Sequence, residues 1–288
     1  MKKSRAIGFA TIAVIYIVAA VIGVTLYRYF IDYHLFLKIL IADVGATVFV
    51  FITGVVLRNA SVYDPYWSVA PPVIFIGLAY PFTDLSPGLI LLLAAVWFWG
   101  VRLTINWART FINLGTQDWR YDMFMGRYPR MFQVVSFFGI NLFPTIVVYL
   151  CMLPGISFIE SSAFNVFTVL GFLVCVSAAT LQLIADMQMH RFRRDNTIHG
   201  SIIRTGLWKY ARHPNYLGEI MMWWGVYIIM LSSSPGTWFL IVGPLVNTLM
   251  FLGVSIPMAD SRNRDLRPGF DEYVKETNSL LPLRFRNQ

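Results

Sequence analysis

The residues best suited to chemistry form one uninterrupted run, Lys209–Glu219, in the C-terminal half of the chain. Proline is favoured at the first position of a helix, so Pro214 is predicted to begin one. Asn215 and Glu219 then share a face of that helix, four residues apart. A carboxylate within an apolar segment costs free energy unless it meets a polar group, which predicts a binding role for Glu219. The alternative is that Glu219 only complements the helix dipole.

A second polar cluster, Asp186–Asn196, follows an apolar run. Helical spacing places Asp186, His190 and Arg193 on one stripe and predicts an ion pair from Asp186 to one of the other two. With Arg212, these arginines would form a cationic rim suited to a pyrophosphate and a 2′-phosphate, because guanidinium groups bind phosphate in a bidentate manner. Taken alone, the cluster is also typical of basic residues that anchor the end of a membrane span.

In the N-terminal half, Asp64 lies beside Tyr63, Tyr66 and Trp67. An aspartate next to proline is common in ordinary loops. An aromatic, partly apolar setting would raise the pKa of this carboxyl by desolvation, as a proton donor to a substrate carbonyl requires. Trp99, at the end of another apolar run, is by position typical of the aromatic belt at a membrane surface.

The composition indicates which elements must position these residues. Of the 288 residues, 57% are hydrophobic and 13% charged, whereas soluble domains carry about 25% charged residues. Apolar runs of about twenty residues, enough to cross a bilayer as a helix, recur along the chain. The fold is therefore predicted to be an all-α, polytopic integral membrane helical bundle with seven to eight transmembrane helices. The first run is long and closely followed by another, which favours a retained helix over a cleaved signal.

Eight candidate spans can be placed, of which the third and the last two are short or interrupted by proline and glycine. They lie at 7–27, 36–57, 67–82, 88–105, 133–153, 163–185, 215–232 and 237–257. Arginine and lysine concentrate in alternate connections, beginning with Lys2, Lys3 and Arg5, which predicts that both termini and the chemistry face the cytoplasm. We expect one membrane domain over residues 1–288, with substrate-side helices at 35–180 and a cofactor-binding half at 181–288.

Several classes of site are not encoded. The dinucleotide and P-loop glycine motifs do not occur, and neither H-E-x-x-H nor a Cys/His cluster is present, so no metal site is predicted. Cys151 and Cys175 lie in apolar spans and are expected to be buried small hydrophobes. The net charge of +8 is assigned to span ends and phosphate binding rather than to nucleic acid, and no obligate protein partner is indicated.

The run Lys209–Glu219, with the polar tail ending at Tyr273, resembles the C-terminal signature of steroid 5α-reductases and sterol C14 reductases, and is closest to their bacterial relatives. The similarity extends from about residue 35 to the C-terminus. It implies NADPH-dependent reduction of a carbon–carbon double bond conjugated to a ketone, with membrane lipid around the protein and a hydrophobic enone as substrate. It also implies a multi-pass protein of a bacterial inner membrane.

The resemblance carries the family's NADPH-binding positions to Asp186, Arg193, Asn215 and Glu219, and further to Asp260 and Arg264 in a tail that carries a short insertion. The remaining members of the predicted cofactor set are Arg120, Arg194, Tyr210, Arg212 and His213. Asp64 falls where steroid reductases carry a Gln-Glu pair that contacts the substrate carbonyl, with Tyr63 before the acid. Trp99 falls where they have a tyrosine. Asp64, Tyr63 and Trp99 are therefore the predicted catalytic residues.

The resemblance implies a 3-oxo-Δ4-steroid or a similar lipid enone as substrate. Tyr63, the aspartate in place of a glutamate at Asp64, and Trp99 depart from the steroid pattern, which leaves an enone other than a steroid as an open alternative. The alternative is an isoprenylcysteine-type carboxyl methyltransferase, which shares the R-H-P-x-Y-x-G core and uses S-adenosylmethionine. Glu219 and the stretch from Asp260 to Asp265 favour the reductase. A lipid-binding protein without activity would leave Glu219, Asp186 and Asp64 without ligands at a high cost in free energy.

Overall fold

The structure, a computed structural model, describes residues 4–196, 198 and 200–281. Lys2 and Lys3, used above for orientation, lie outside the described residues. Every regular element within the described ranges is helical, which confirms the all-α fold class. The α-helices are α1 Arg5–Tyr29, α2 Leu35–Leu57, α3 Tyr66–Ala79, α4 Pro87–Thr110, α5 Trp119–Arg127, α6 Phe132–Val135, α7 Phe143–Ser161, α8 Val166–Asp195, α9 Pro214–Leu231, α10 Val242–Met250, α11 Ile256–Leu266 and α12 Phe270–Glu276.

Six helical stretches in the described part of the chain are long and apolar enough to cross a membrane. They are Arg5–Tyr29, Leu35–Leu57, Pro87–Thr110, Phe132–Ser161, Val166–Asp195 and Pro235–Leu266. The fourth and sixth are continuous because π-helical turns, Ser136–Leu142 and Phe251–Ser255, join their α-helical parts. The other two predicted spans correspond to α3, which has 14 residues, and to α9, which has 18 and carries Asn215 and Glu219.

The chain divides into two compact units. The first unit contains Met1–Pro81 and Leu103–Leu153, and the second contains Phe82–Arg102 and Pro154–Gln288. Helices α4 and α7 each contribute residues to both units. Cys151 and Cys175 are buried free thiols, as predicted.

In the first unit, a segment of short elements between α2 and α3 carries Asp64. Helix α2 ends at Leu57, and its C-cap residue Arg58 has a φ of 51°, in the left-handed region. Asn59 then fixes the turn, because its amide donates to the carbonyl oxygens of Leu114 and Thr116 at 2.9 Å each. A 3₁₀ turn, Ala60–Tyr63, follows and leads directly to Asp64. The acid is therefore held by a segment that is hydrogen-bonded at its start.

In the second unit, α8 and α9 pack with close backbone contact. A Cβ atom on Gly171 would lie 2.7 Å from the carbonyl oxygen of Gly225, and one on Gly218 would lie 2.6 Å from that of Ala178. Small residues allow this approach, as is common between membrane helices. Pro214 occupies the first turn of α9, as predicted. The polar residues in the first turns of α9 are consequently brought against α8.

Candidate functional site

Glu219 is the centre of a buried hydrogen-bond network in the second unit. The residue is buried, with 6% of its surface exposed. One oxygen, Oε2, accepts from the indole N–H of Trp99 at 2.9 Å and from the amide of Gln182 at 2.7 Å. The other, Oε1, accepts from the indole N–H of Trp223 at 3.1 Å. Three donors from α4, α8 and α9 thus compensate for the removal of this carboxylate from water.

A buried ion pair extends this network. The guanidinium of Arg102 donates to Asp186 Oδ2 at 2.8 Å and to Gln182 Oε1 at 2.5 Å. Asn215 donates to the other oxygen of Asp186 at 3.4 Å. Asp186 was predicted to form its ion pair with His190 or Arg193, and this prediction is wrong. Its ion-pair partner is Arg102 of α4. Asp186, Asn215 and Glu219, predicted from two separate motifs, are joined by Gln182 and Arg102.

A second polar group of the same unit joins the start of α9 to α11. His213 Nε2 lies 2.8 Å from Asp260 Oδ1, and Arg212 donates to Asp260 Oδ2 at 3.3 Å. Arg212 also donates to the carbonyl oxygen of Thr277 at 2.5 Å. The backbone N–H groups of Arg212 and His213 donate to the carbonyls of Asn278 and Ser279. The predicted residues Arg212, His213 and Asp260 therefore lie together and are braced by the tail.

The other predicted cofactor residues of this unit lie on its surface. Arg194 pairs with Asp195 and Arg264 pairs with Asp271, and Tyr210 is 43% exposed. Arg193 is also exposed and makes no hydrogen bond or ion pair with another described residue. Arg193 and Arg262 lie close to Arg267, whose pKa is lowered first by burial and then by repulsion from these two guanidinium groups. Arg193 and Arg262 therefore both act on Arg267, and neither Arg262 nor Arg267 was among the predicted site residues.

Asp64 lines a cavity of about 360 Å³ in the first unit, together with Arg120 and aromatic side chains. The hydroxyl of Tyr121 donates to Asp64 Oδ1. Burial raises the pKa of Asp64 to about 6, although nearby Arg120 and the Tyr121 hydroxyl oppose this shift. The expectation of a raised pKa is therefore confirmed. Tyr121, the hydrogen-bond partner of Asp64, was not among the predicted site residues.

The remaining predicted catalytic residues occupy other positions. Tyr63 is 2% exposed and its hydroxyl lies 2.8 Å from that of Thr145, within the core of the first unit. Trp99 is fully buried, so the belt interpretation is wrong, and it belongs to the Glu219 network. Arg120, predicted to bind the cofactor, lines the cavity with Asp64. Asp43, which the sequence reading missed, is buried in α2 and accepts from Tyr66 at 2.8 Å.

The raised pKa of Asp64 predicts an unusual pH dependence of stability. Because the folded pKa of about 6 exceeds the ordinary value of 3.8, the folded state holds its proton more tightly, and stability falls as pH rises between these values. Asp64→Asn should remove this loss and stabilise the protein above pH 6, by at most about 3 kcal/mol. Thermal unfolding in detergent at pH 4 and pH 7.5 measures the difference. A variant less stable than the parent at pH 7.5 would contradict this expectation.

The residues that the structure describes contain no group of three or more His, Cys, Asp or Glu side chains that could hold a metal ion. The candidate sites consist instead of carboxylates, guanidinium groups, amides and indoles. This donor set suits an organic ligand with anionic and hydrogen-bonding groups.

The apolar helices and the buried polar networks define a multi-pass helical membrane protein. The profile of DUF1295, described as a protein of unknown function, matches residues 50–277. The chain therefore belongs to the DUF1295 family, whose members are membrane proteins related to steroid 5α-reductases. The match covers Asp64, Asp186 and the whole Lys209–Glu219 run.

A similar protein occurs in Schizosaccharomyces pombe, where it is described as an uncharacterised protein. It is 26% identical over 205 residues, which cover 62% of this chain and 59% of that relative. The matched part thus spans less than two thirds of the relative. No solved structure matches the chain significantly.

Proposed function

We propose that this protein is an NADPH-dependent reductase of the conjugated carbon–carbon double bond of a lipid enone, such as a 3-oxo-Δ4-steroid or a similar molecule. One observation carries the proposal: Asp186, Asn215 and Glu219 belong to one buried network with Arg102 and Gln182. Asp186, Asn215 and Glu219 are positions to which the family resemblance assigns NADPH, whereas Arg102 and Gln182 are not. Buried carboxylates in a membrane protein are costly and most often mark a ligand or ion site.

The charged side chains of the second unit fit the phosphates of NADPH. Arg193 and Arg262 each repel the guanidinium of Arg267, and an anion bound near Arg267 would offset that repulsion. Arg212 has a buried Nε without a hydrogen-bond partner. An unsatisfied buried donor is unfavourable, and a phosphate oxygen would satisfy it. These four arginines would therefore hold the pyrophosphate and the 2′-phosphate.

Glu219 would hold an uncharged part of the cofactor. A carboxylate offers about four acceptor positions, and Trp99, Gln182 and Trp223 fill three of them. The remaining position suits an N–H donor such as a carboxamide. When bound, NADPH supplies the hydride that adds to the β-carbon of the enone. The role of the protein is to orient the nucleotide and, through Asp64, to hold the proton that the reduction consumes.

The proposal includes a topology with seven or eight spans. Helices α3 and α9 would supplement the six apolar helices, since α9 is shielded by α8 along its polar face. The connections before α4, α8 and α10 carry no arginine or lysine. By contrast, the stretch between α4 and α7 carries Arg120, Arg127 and Arg130, and the connection before α9 carries Arg204, Lys209 and Arg212. Both termini and the cofactor site would then face the cytoplasm of a bacterial inner membrane.

A calorimetric titration of the purified full-length protein with NADPH, NADH and S-adenosylmethionine tests the proposal. We expect NADPH to bind more tightly than NADH because only NADPH carries the 2′-phosphate. Binding of S-adenosylmethionine without binding of NADPH would replace the reductase by the methyltransferase alternative. Absence of binding by all three would refute both enzymatic proposals.

Arg193→Ala should weaken NADPH binding about tenfold or more, because a hydrogen-bonded charge is lost from the phosphates. NADH affinity should fall less if the 2′-phosphate is the main contact. Calorimetry with both nucleotides gives the two ratios. Arg191→Ala is the matched control, since Arg191 is also exposed and already pairs with Asp195 at 3.6 Å. Equal NADPH affinity in the two variants would remove Arg193 from the site.

A further inference from the structure

The cavity of the first unit contains a mixture of groups that a purely hydrocarbon ligand would not satisfy. Its volume is about 360 Å³, and its walls include Trp67, Trp107, Asn106, Asp64 and Arg120. Ligand pockets for small molecules usually measure about 300–1,000 Å³. This cavity is at the small end of that range and suits one ring system or the polar end of a longer molecule. Covering its polar groups with hydrocarbon would cost free energy.

Arg120 is the cation of this cavity. Its Nε donates to Asp118 Oδ1 at 2.7 Å, while its terminal nitrogens make no hydrogen bond with another described residue. The Arg120 side chain is 42% exposed and lines the cavity. A guanidinium remains charged at every physiological pH. Arg120 can therefore donate to a ligand oxygen and stabilise negative charge that develops on it.

The acid lies in the same cavity as this cation. Asp64 accepts from Tyr121, and Ser61 also hydrogen-bonds to it. A carboxyl group has further capacity to exchange hydrogen bonds with a ligand. Trp67 and Trp107 supply flat apolar surface beside it. The cavity thus combines a fixed cation, a carboxyl group and two indoles within one unit.

We infer that this cavity binds the carbonyl end of an oxygen-rich cyclic enone, and that Arg120 is a catalytic residue that binds the carbonyl oxygen rather than the nucleotide. The inference rests on the proposed function. As a hydride adds to the β-carbon, the electron pair of the double bond moves toward the carbonyl oxygen, where Arg120 holds the developing charge. The proton that completes the saturated ketone comes from the Asp64 carboxyl. A hydroxyl on the ring carbon next to the carbonyl would form hydrogen bonds with the polar side chains that line the cavity. The unsubstituted ring of a simple steroid would leave those side chains without such bonds.

The test is calorimetric binding of two matched probes to the full-length protein in detergent without nucleotide. One probe is a 6-hydroxycyclohex-2-enone with an alkyl chain, in which the hydroxyl is on the carbon next to the carbonyl, and the other is the same molecule without the hydroxyl. The wild type should bind the hydroxylated probe at least about tenfold more tightly, since a lost hydrogen bond leaves polar groups of the cavity unpaired. Arg120→Met should weaken binding of both probes about ten- to a hundredfold.

Arg127→Met is the control, because Arg127 lies on the same helix, α5, and does not line the cavity. Thermal unfolding of both variants verifies that they fold, and Arg120→Lys should restore part of the lost affinity. Equal affinity of the wild type for both probes, no binding of either, or unchanged binding in Arg120→Met would overturn the inference. NADPH titration of the same samples separates the two proposals. Loss of NADPH affinity in Arg120→Met would show that Arg120 binds the cofactor instead. Wild-type protein that binds the probes but not NADPH would refute only the proposed function.

Discussion

Replacing Glu219 by alanine is expected to destabilise the protein by about 3–5 kcal/mol and to abolish measurable NADPH binding. The substitution leaves the two indole N–H groups of Trp99 and Trp223 and the amide of Gln182 without their acceptor in a buried region. Each unsatisfied buried donor costs about 1–3 kcal/mol. Thermal unfolding in detergent should show a decrease of roughly 10 °C or more in the apparent melting temperature.

Glu219→Gln separates the structural effect from the effect on the cofactor. Glutamine keeps one acceptor oxygen and the side-chain shape, so its loss of stability should be smaller, while the added N–H donors should still impair binding of a carboxamide. Glu160→Ala is the matched control, since Glu160 is exposed at the end of α7. If Glu219→Ala unfolded at the same temperature as this control, the network would not hold α4, α8 and α9 together.

The second large effect is expected from Arg102→Met, which leaves the Asp186 carboxylate without its cation. The two side chains are only 4% and 13% exposed. Removing one partner of a buried ion pair typically costs about 3–5 kcal/mol, because the other charge stays buried and uncompensated. Unfolding measurements on Arg102→Met should show this loss, and the exposed Arg109, replaced by methionine, serves as control.

The double variant Arg102→Met/Asp186→Leu should recover most of the stability, since replacing both charges by apolar groups is often neutral. NADPH binding should nevertheless remain lost, because Asp186 belongs to the proposed cofactor site. Recovery of stability together with normal NADPH affinity would show that the pair is only structural. Additive losses from the two substitutions would show that they do not interact in the folded protein.

Much of the fold could be predicted because its signals are local. Apolar runs located a helix for each predicted span, and Pro214 marked the start of α9 correctly. The same-face argument for Asn215 and Glu219 also succeeded, since both hydrogen-bond to residues of α8. The predicted count of seven to eight spans stays a prediction, because α3 has only 14 residues and the polar residues of α9 reduce its hydropathy.

The composition of the network could not be predicted because it depends on contacts between distant parts of the chain. Arg102 meets Asp186 across 84 residues, a separation that no local sequence pattern reports. Gln182 did carry a local signal, since it precedes Asp186 by one helical turn inside an apolar run. Asp43 carried a similar signal within α2. Polar residues inside apolar runs are therefore as informative as those at the ends of the runs.

The two indoles bound to Glu219 also have a practical use. The chain contains nine tryptophans, and replacing them with 5-fluorotryptophan would introduce nine fluorine nuclei without altering any cysteine. Trp99 and Trp223 donate to the same carboxylate, so their resonances should respond together to any change in the charge or occupancy of Glu219. Fluorine NMR could thereby follow the interior of this membrane protein with labels that the wild-type sequence already positions.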